Sequence, residues 1–321
     1  MSKITKLEVI FNKRAGNGQS KSTWKLIAKF LEKNQIPFEL HSTKSDGDGV
    51  RIAKELADNL NDTERILVIG GDGTLNQSLN GVKISSRPET TLAYIPSGSG
   101  NDFSRGIKIK KQKPLVLLQK ILAMNEPVMI DVAKATNLKN DKTKYFVNNI
   151  GMGFDASAVY YTNHSKRKDI LNTLKLGTLA YVSSLIKVIK LQSGFPIDVI
   201  YGDKKKHFEN AYIVTATNHP YFGGGIAIDP KAQSFDHRLD LVVVNKITGK
   251  TFIKLFTKLL TDGSHLDDEN VWYIQEPEFT ILDHLPEQGQ MDGEELGEHE
   301  FEIHFQSTEH AFWLPINSND Y

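Results

Sequence analysis

Three short segments of this sequence gather glycine, asparagine and aspartate directly after an apolar run: NKRAGNG at 12–18, GGDGTLN at 70–76 and SGSGND at 97–102. Glycine after a strand lets backbone N–H groups approach a ligand closely, and phosphate is commonly held in this way. The first segment adds Arg14, and the second adds the Thr74 hydroxyl at a helix start. Together they suit the phosphates of a nucleotide. Taken singly, each reads as a tight turn needing positive φ; three at the ends of one sheet's strands shift the reading toward a ligand site. Asp72 is an anion set inside such a turn, and on its own it also reads as a cap of the helix that follows. None of the three is a G-x-x-x-x-G-K-[ST] loop. No G-x-G-x-x-G stands at the expected distance from a ribose-binding acid, so a nicotinamide dehydrogenase is unsupported.

The elements that must position these turns alternate. Strand patterns at 6–11, 37–43, 65–70 and 91–96 are each followed by a helical pattern. Trp24, Ile27 and Leu31 share one helix face, as do Val50, Ala53, Leu56 and Leu60, then Leu75, Leu79 and Val82. A helix around PLVLLQKIL closes the series. Strand–helix alternation predicts a parallel sheet covered on both faces, with its ligand outside the carboxyl ends of the strands. After about residue 128 the pattern becomes mostly β: VMIDVAKAT, KYFVNNIG, FPIDVIYG, KKHFENAYIVTATN, RLDLVVVN, PEFTIL, EFEIHF and AFWLPI, with GDKKK as a hairpin tip. Helices are predicted only at 178–191 and 250–261.

Composition narrows the class. A chain of 321 residues suggests two domains. Lys+Arg and Asp+Glu are equal at 39 each, so no overall field attracts nucleic acid. The absence of cysteine removes disulfides, thiolate zinc and thiol nucleophiles, and fits a reducing, cytoplasmic setting. No apolar stretch approaches the ~18 residues that cross a bilayer. The expectation is a soluble protein that at most rests on a membrane surface. The basic clusters at 108–113 and 164–169 read equally as membrane contacts or as solvated faces. The histidines, including His219 and His284, lack zinc-ligand spacing and are expected at the surface or satisfied in the core.

Four motifs then follow in order: GGDGTLNQSLNG (70–81), PSGSGNDFSR (96–105), NIGMGFDA (149–156) and MDGEEL (291–296). Together they resemble the soluble diacylglycerol kinase family, which includes bacterial lipid kinases and, more distantly, sphingosine and ceramide kinases. The resemblance runs from FNKRAGNG to WLP, nearly the whole chain. GGDGT alone is shared with NAD kinases; followed by GxGNDFxR and a late DGE it is far more specific. The resemblance implies an N-terminal doubly wound α/β nucleotide-binding domain (1–128) and a C-terminal β-sandwich domain (129–308), with the active site between them. It also implies a final segment, 309–321, that returns to the first domain.

The resemblance implies roles as well. ATP and Mg²⁺ would be the cofactors, and diacylglycerol, presented at a membrane surface, the substrate. Asp72 would belong to a network reaching Mg²⁺, with Asp102 as its second member, because phosphate beside carboxylates needs a cation between them. The ATP site would be lined by Asn12, Lys13, Arg14, Ala15, Gly16 and Thr43, by Gly71, Asp72, Gly73, Thr74, Leu75, Asn76 and Gln77, and by Ser99, where relatives often have threonine. Glu294 would be the general base, with Asp292 as the alternative base. On spacing alone MDGEEL is a hairpin turn with solvated acids. A structural Mg²⁺ would use the Asp236 carboxylate and the carbonyls of Gln233 and Arg238, although His237 stands where relatives have glycine. Family members are often dimers, so the resemblance also points to a homodimer. A kinase of a soluble substrate such as NAD, or a lipid or nucleotide sensor of the same fold, remains as an alternative reading.

Overall fold

The computed structural model describes residues 4–109, 112–154, 156–157 and 193–316. The predicted helix at 178–191 and the basic cluster at 164–169 lie outside these residues, as do the two central lysines of the cluster at 108–113.

The first half follows the alternation read from the sequence. Strands β1 (Lys6–Phe11), β2 (Phe38–Ser42), β3 (Glu64–Gly70) and β4 (Leu92–Pro96) pair in parallel in the order β2-β1-β3-β4. Helices α1 (Gln19–Lys33) and α5 (Pro114–Ala123) cover one face. There Ile27, Leu31, Leu118 and Ile121 pack on Leu7, Val9, Leu67 and Ile95. Helices α2 (Asp48–Asn59) and α3 (Asp72–Lys83) cover the other face. There Ile52, Ala53, Leu75, Leu79 and Val82 pack on Ile10, Ile66, Val68 and Tyr94. Each fully buried aliphatic side chain contributes about 1.5–3 kcal/mol, so the two layers hold this sheet from both sides. The short helix α4 (Asp102–Gly106) follows the turn after β4.

The second half is β-rich: β5 (Val128–Asn137), β6 (Thr143–Phe146), β7 (Asn149–Gly153), β8 (Phe195–Tyr201), β9 (Lys204–Thr217), the short pair β10 (Tyr221–Phe222) and β11 (Ile226–Ala227), then β12 (Leu239–Asn245). Helix α6 (Gly249–Thr261) precedes β13 (Val271–Glu276), β14 (Glu278–Asp283), β15 (Glu287–Met291), β16 (Glu294–His299) and β17 (Glu302–Trp313). The long strand β9 joins two layers. Its first half pairs with β8 and its second half with β7 and β12. A strand that changes partners in this way makes the corner of a sandwich. Phe146, Phe195, Leu241, Phe279 and Phe305 fill the core between the layers.

Three differences from the sequence reading have physical causes. The run predicted as one strand at 144–151 is two, β6 and β7, because the N–H groups of Val147, Asn148 and Asn149 turn toward the Asp292 carboxylate. The runs EFEIHF and AFWLPI belong to one strand, β17. It pairs with β14 and, over ten residue pairs, with β5, and its end at Phe312 and Trp313 pairs in parallel with Leu92 and Ala93 of β4. Strand β13 was not anticipated, and of β15 and β16 only the hairpin turn between them was read, at MDGEEL. The last two are rich in Glu, Gln and Gly, and half of β16 is exposed, so no apolar alternation marks them.

Candidate active site

The three glycine turns converge, and the main chain ties them together. At the end of β1, Asn12 accepts the N–H of Arg14 at 3.0 Å and donates to the Thr74 hydroxyl at 3.1 Å. At the end of β4, the Ser97 N–H donates to the Gly70 carbonyl at 2.7 Å. The second and third turns touch at Gly71 and Gly98. A Cβ added to Gly98 would lie 2.5 Å from the Gly71 Cα, so no side chain fits there.

The place of Asp72 answers why an anion sits in the glycine turn. It does not cap α3, whose N-cap is Gly71. Its carboxylate instead accepts the backbone N–H groups of Asp102 at 3.0 Å and Phe103 at 3.3 Å, at the start of α4. It therefore holds the third turn from the second. Asp102 reaches the other domain: its Oδ2 accepts the N–H of Gly224 at 2.7 Å, in the turn between β10 and β11, and its Oδ1 accepts from Arg105. Burial, together with the charge of Asp102, pushes the Asp72 carboxyl up to about 6 against the pull of its N–H donors. Burial also raises Asp102. Two neighbouring carboxyls, both raised and one raised by the other, form a donor set that a divalent cation would relieve.

The opposite wall is the β15–β16 hairpin. Met291 pairs with Glu294, and Asp292 and Gly293 turn between them at φ +50° and +84°. MDGEEL is thus the hairpin that its Asp-Gly pair announces. Its acids, however, are not simply solvated. Asp292 accepts the backbone N–H groups of Val147, Asn148 and Asn149 at 2.9–3.0 Å and the Asn76 amide at 2.7 Å. Burial pushes its carboxyl up to about 7, and the three backbone donors pull the other way. With four donors on its two oxygens, Asp292 serves as an anchor. Glu294 lies one glycine further on. Its Oε1 accepts from the Gln77 amide at 2.9 Å, and a Cβ on Gly73 would stand 3.3 Å from it. Burial raises the Glu294 carboxyl above the usual range. The Gln77 amide also donates to Asp46 at 2.6 Å and accepts the Gly49 N–H at 3.2 Å, which fixes its orientation.

Between these walls lies a cavity of about 350 Å³. Of the residues expected from sequence, Asn12, Arg14, Ala15, Gly16 and Thr43 line it, as do Gly71, Gly73, Thr74, Gln77, Ser99 and Glu294. Others do not. Lys13 is exposed beside the cavity. Leu75 is fully buried in the core under α3, and its N–H is spent on the Gly71 carbonyl. Asn76 points away, toward Asp292 and the Tyr145 carbonyl. Asp72, Asp102 and Asp292 stand behind the lining as supports. Lys44, Ser45 and Asp46, which were not expected, line the cavity as well, together with Gly98 of the SGSGND segment. The first three belong to SDGDG and its approach after β2, a fourth strand-end turn of the same composition, which was the available signal.

At the expected structural cation site, Asp236 accepts the Arg238 N–H at 3.0 Å and the Gln275 amide at 2.9 Å, two donors on its two oxygens as at Asp72. His237 takes φ +58°, the left-handed backbone that glycine would supply, and the turn survives the substitution. Its N–H donates to Asp131 at 2.7 Å. Gln233 is exposed at the surface. No mechanistic step uses a cation there. His219 is a satisfied core histidine: its Nε2 lies 2.6 Å from the Asn148 side-chain oxygen, and burial pushes its pKa down to about 3.

Known proteins share both parts of this fold. Residues 6–135 match the family "Diacylglycerol kinase catalytic domain", and residues 148–307 match the "YegS C-terminal NAD kinase beta sandwich-like domain". The chain is 28% identical over 302 residues to "Putative lipid kinase YtlR" of Bacillus subtilis (strain 168), covering 92% of this chain and 94% of the relative. It is 28% identical over 276 residues to "Diacylglycerol kinase" of the same organism, covering 85% and 84%. The fold is shared with the structure titled "Crystal structure of a putative diacylglycerol kinase from Bacillus anthracis str. Sterne", with TM-score 0.75, 24% identity, and 99% and 100% of the two chains covered. A yeast NADH kinase structure shares the fold more loosely, with TM-score 0.51, 10% identity, and 98% and 85% covered. With both domains matched in order, the protein belongs to the diacylglycerol kinase family of lipid-kinase enzymes.

Proposed function

We propose that this enzyme transfers the γ-phosphoryl group of ATP to the hydroxyl of a lipid, most simply diacylglycerol, giving phosphatidic acid and ADP. The observation that carries the reading is the placement of Glu294 over Gly73, facing the glycine turns across one cavity. Backbone N–H groups of the turns and Arg14 would bind the phosphates, and Thr74 would supply a hydroxyl. Glu294 would accept the proton of the lipid hydroxyl as its oxygen attacks the γ-phosphorus and the bond to the β-phosphate oxygen breaks. Its raised carboxyl makes it a better base for that late transfer than an exposed glutamate. Gln77 aims it, and Asp292 fixes the hairpin that carries it. Asp72 and Asp102 are the residues that would hold Mg²⁺, which when bound neutralises phosphate charge. Among the described residues no helix is long and apolar enough to cross a membrane, so the lipid would be met at a membrane surface.

The test is phosphoryl transfer from γ-labelled ATP with Mg²⁺ to diacylglycerol, monoacylglycerol, sphingosine and ceramide in mixed micelles, with NAD as the soluble acceptor. Label on diacylglycerol, with a rate that follows its surface concentration, is the expected result. Label on NAD alone would replace the lipid reading with a soluble substrate, and no label on any acceptor would defeat both.

A further inference from the structure

Outside the cavity, three side chains meet on the face of the sandwich opposite its core residues Ile197 and Val199. Asp198 of β8 pairs in register with His207 of β9 on one side and with Leu282 of β14 on the other. Partners across antiparallel strands share a face, and so do residues two apart along a strand. His284, two residues beyond Leu282, continues this parity, and its N–H bonds to the Pro196 carbonyl at 3.3 Å. The register therefore brings together residues that are far apart in sequence. His207 Nδ1 stands 2.7 Å from Asp198 Oδ1, and His284 Nε2 stands 2.9 Å from Asp198 Oδ2. All three ligand atoms lie within 4.8 Å of one another.

We propose that Asp198, His207 and His284 form a zinc site that ties β9, β8 and the end of β14 together. Two imidazoles and one carboxylate suit a borderline metal ion, and a water completes a tetrahedral set. Bonds of 2.0–2.2 Å place neighbouring ligand atoms about 3.3 Å apart, roughly half an ångström wider than the two Asp198–imidazole separations. The imidazoles are about half exposed, so they can make that small adjustment. His207 binds through Nδ1 and turns its Nε2 toward Glu209 Oε1 at 3.5 Å, the carboxylate-backed arrangement that metal-bound histidines adopt. Asp198 is buried and already attracts a cation: the exposed Lys205 ammonium sits 2.9 Å from its Oδ2. Zinc would displace that ammonium into solvent. The proposal is independent of the kinase reading.

The whole chain, stripped with a chelator, would be titrated with zinc against a chromogenic competitor. One equivalent is expected to bind. His207→Ala and His284→Ala should each weaken it at least about tenfold, while Lys205→Ala, which removes the competing cation, tightens it about two- to fivefold. His41→Ala, in the separate Glu8–Glu39–His41 cluster, should leave it unchanged. Absence of a bound equivalent in both wild type and Lys205→Ala, or an equivalent retained in both histidine variants, overturns the site. Should a variant fold poorly, the zinc absorption edge of the wild-type complex decides: two imidazole shells support the site, and fewer refute it.

Discussion

The two walls of the cavity are built by opposite means. On the α/β side the cavity is lined from several turns at once, and the glycine turns are set by contacts with one another: Gly71 on Gly98, Ser97 on Gly70, Asp72 on the start of α4. On the β side one residue, Glu294, lines the cavity, on a hairpin whose Asp292 grips a segment some 144 residues earlier in the chain. The first wall is a rigid cradle with no side chain to titrate at its touching point. The second is a single titratable group on a hairpin whose anchor is remote. A cradle tolerates little change of shape, whereas the hairpin tolerates little change of charge.

That contrast can be broken at its anchor first. Asp292→Asn keeps the shape and the positive φ but turns a donor toward N–H groups that need an acceptor. We expect a loss of about 3 kcal/mol in unfolding free energy, measured by urea denaturation, because buried donors are left unpaired. An unchanged midpoint would mean that the four bonds to Asp292 hold nothing together. Next is the group it positions. Glu294→Gln should leave the unfolding midpoint and ATP affinity intact and lower turnover ~10²-fold. Activity at the wild-type level would remove Glu294 from the chemistry. On the cradle side, Gly98→Ala must push the second and third turns apart, and a roughly tenfold rise in the KM for ATP is expected with the lipid KM unchanged. Equal changes in both would show that the turns do not serve ATP alone.

The smallest effect sharpens the role of Asp72. Its folded carboxyl lies near 6, above the ordinary 3.8 of an unfolded chain. Between these values the folded chain keeps a proton that the unfolded chain has released. Stability therefore falls as pH rises through the window, and a cation restores it once the carboxylate is free. Added Mg²⁺ should raise the unfolding midpoint by roughly 1–3 °C at pH 7.5 and less at pH 5. It should do so in neither condition for Asp72→Asn. Equal shifts at both pH values would separate the cation from this carboxylate.

Legibility in the sequence follows the same division. Strands β1 to β4 and their helices were readable because each is a local pattern, and the glycine turns announced themselves by composition. Leu75 shows how two local signals can conflict. Its 3.6-residue spacing with Leu79 and Val82 marks it as core, whereas the motif around it suggests an ATP contact; the structure follows the spacing. The role of Asp72 was only half legible, since no local rule says that an acid in one turn caps the helix of the next. Strands β15 and β16 show in the sequence only at the Asp-Gly turn between them, because their side chains are polar and their order comes from pairing with each other, from β15 on β7 and from the Asp292 anchor. His284 was expected at the surface or satisfied in the core and is half exposed, but its meeting with Asp198 and His207 comes from strand register, which spacing along the chain does not carry.

The run of β17 has a consequence for how the molecule is made. Residues of this one strand complete the edge of the parallel sheet beside β4, line the whole length of β5 and pair with β14. It is synthesised after every other described strand. Until it emerges from the ribosome, the edge of β4 has an open ladder and β5 lacks its longest partner, although all three glycine turns have already been translated. Neither half is finished before the other. A ribosome that stalls late would therefore leave a chain with the nucleotide motifs present and three strands, β4, β5 and β14, each lacking a partner, a natural target for chaperone holding or proteolysis rather than a half-active kinase.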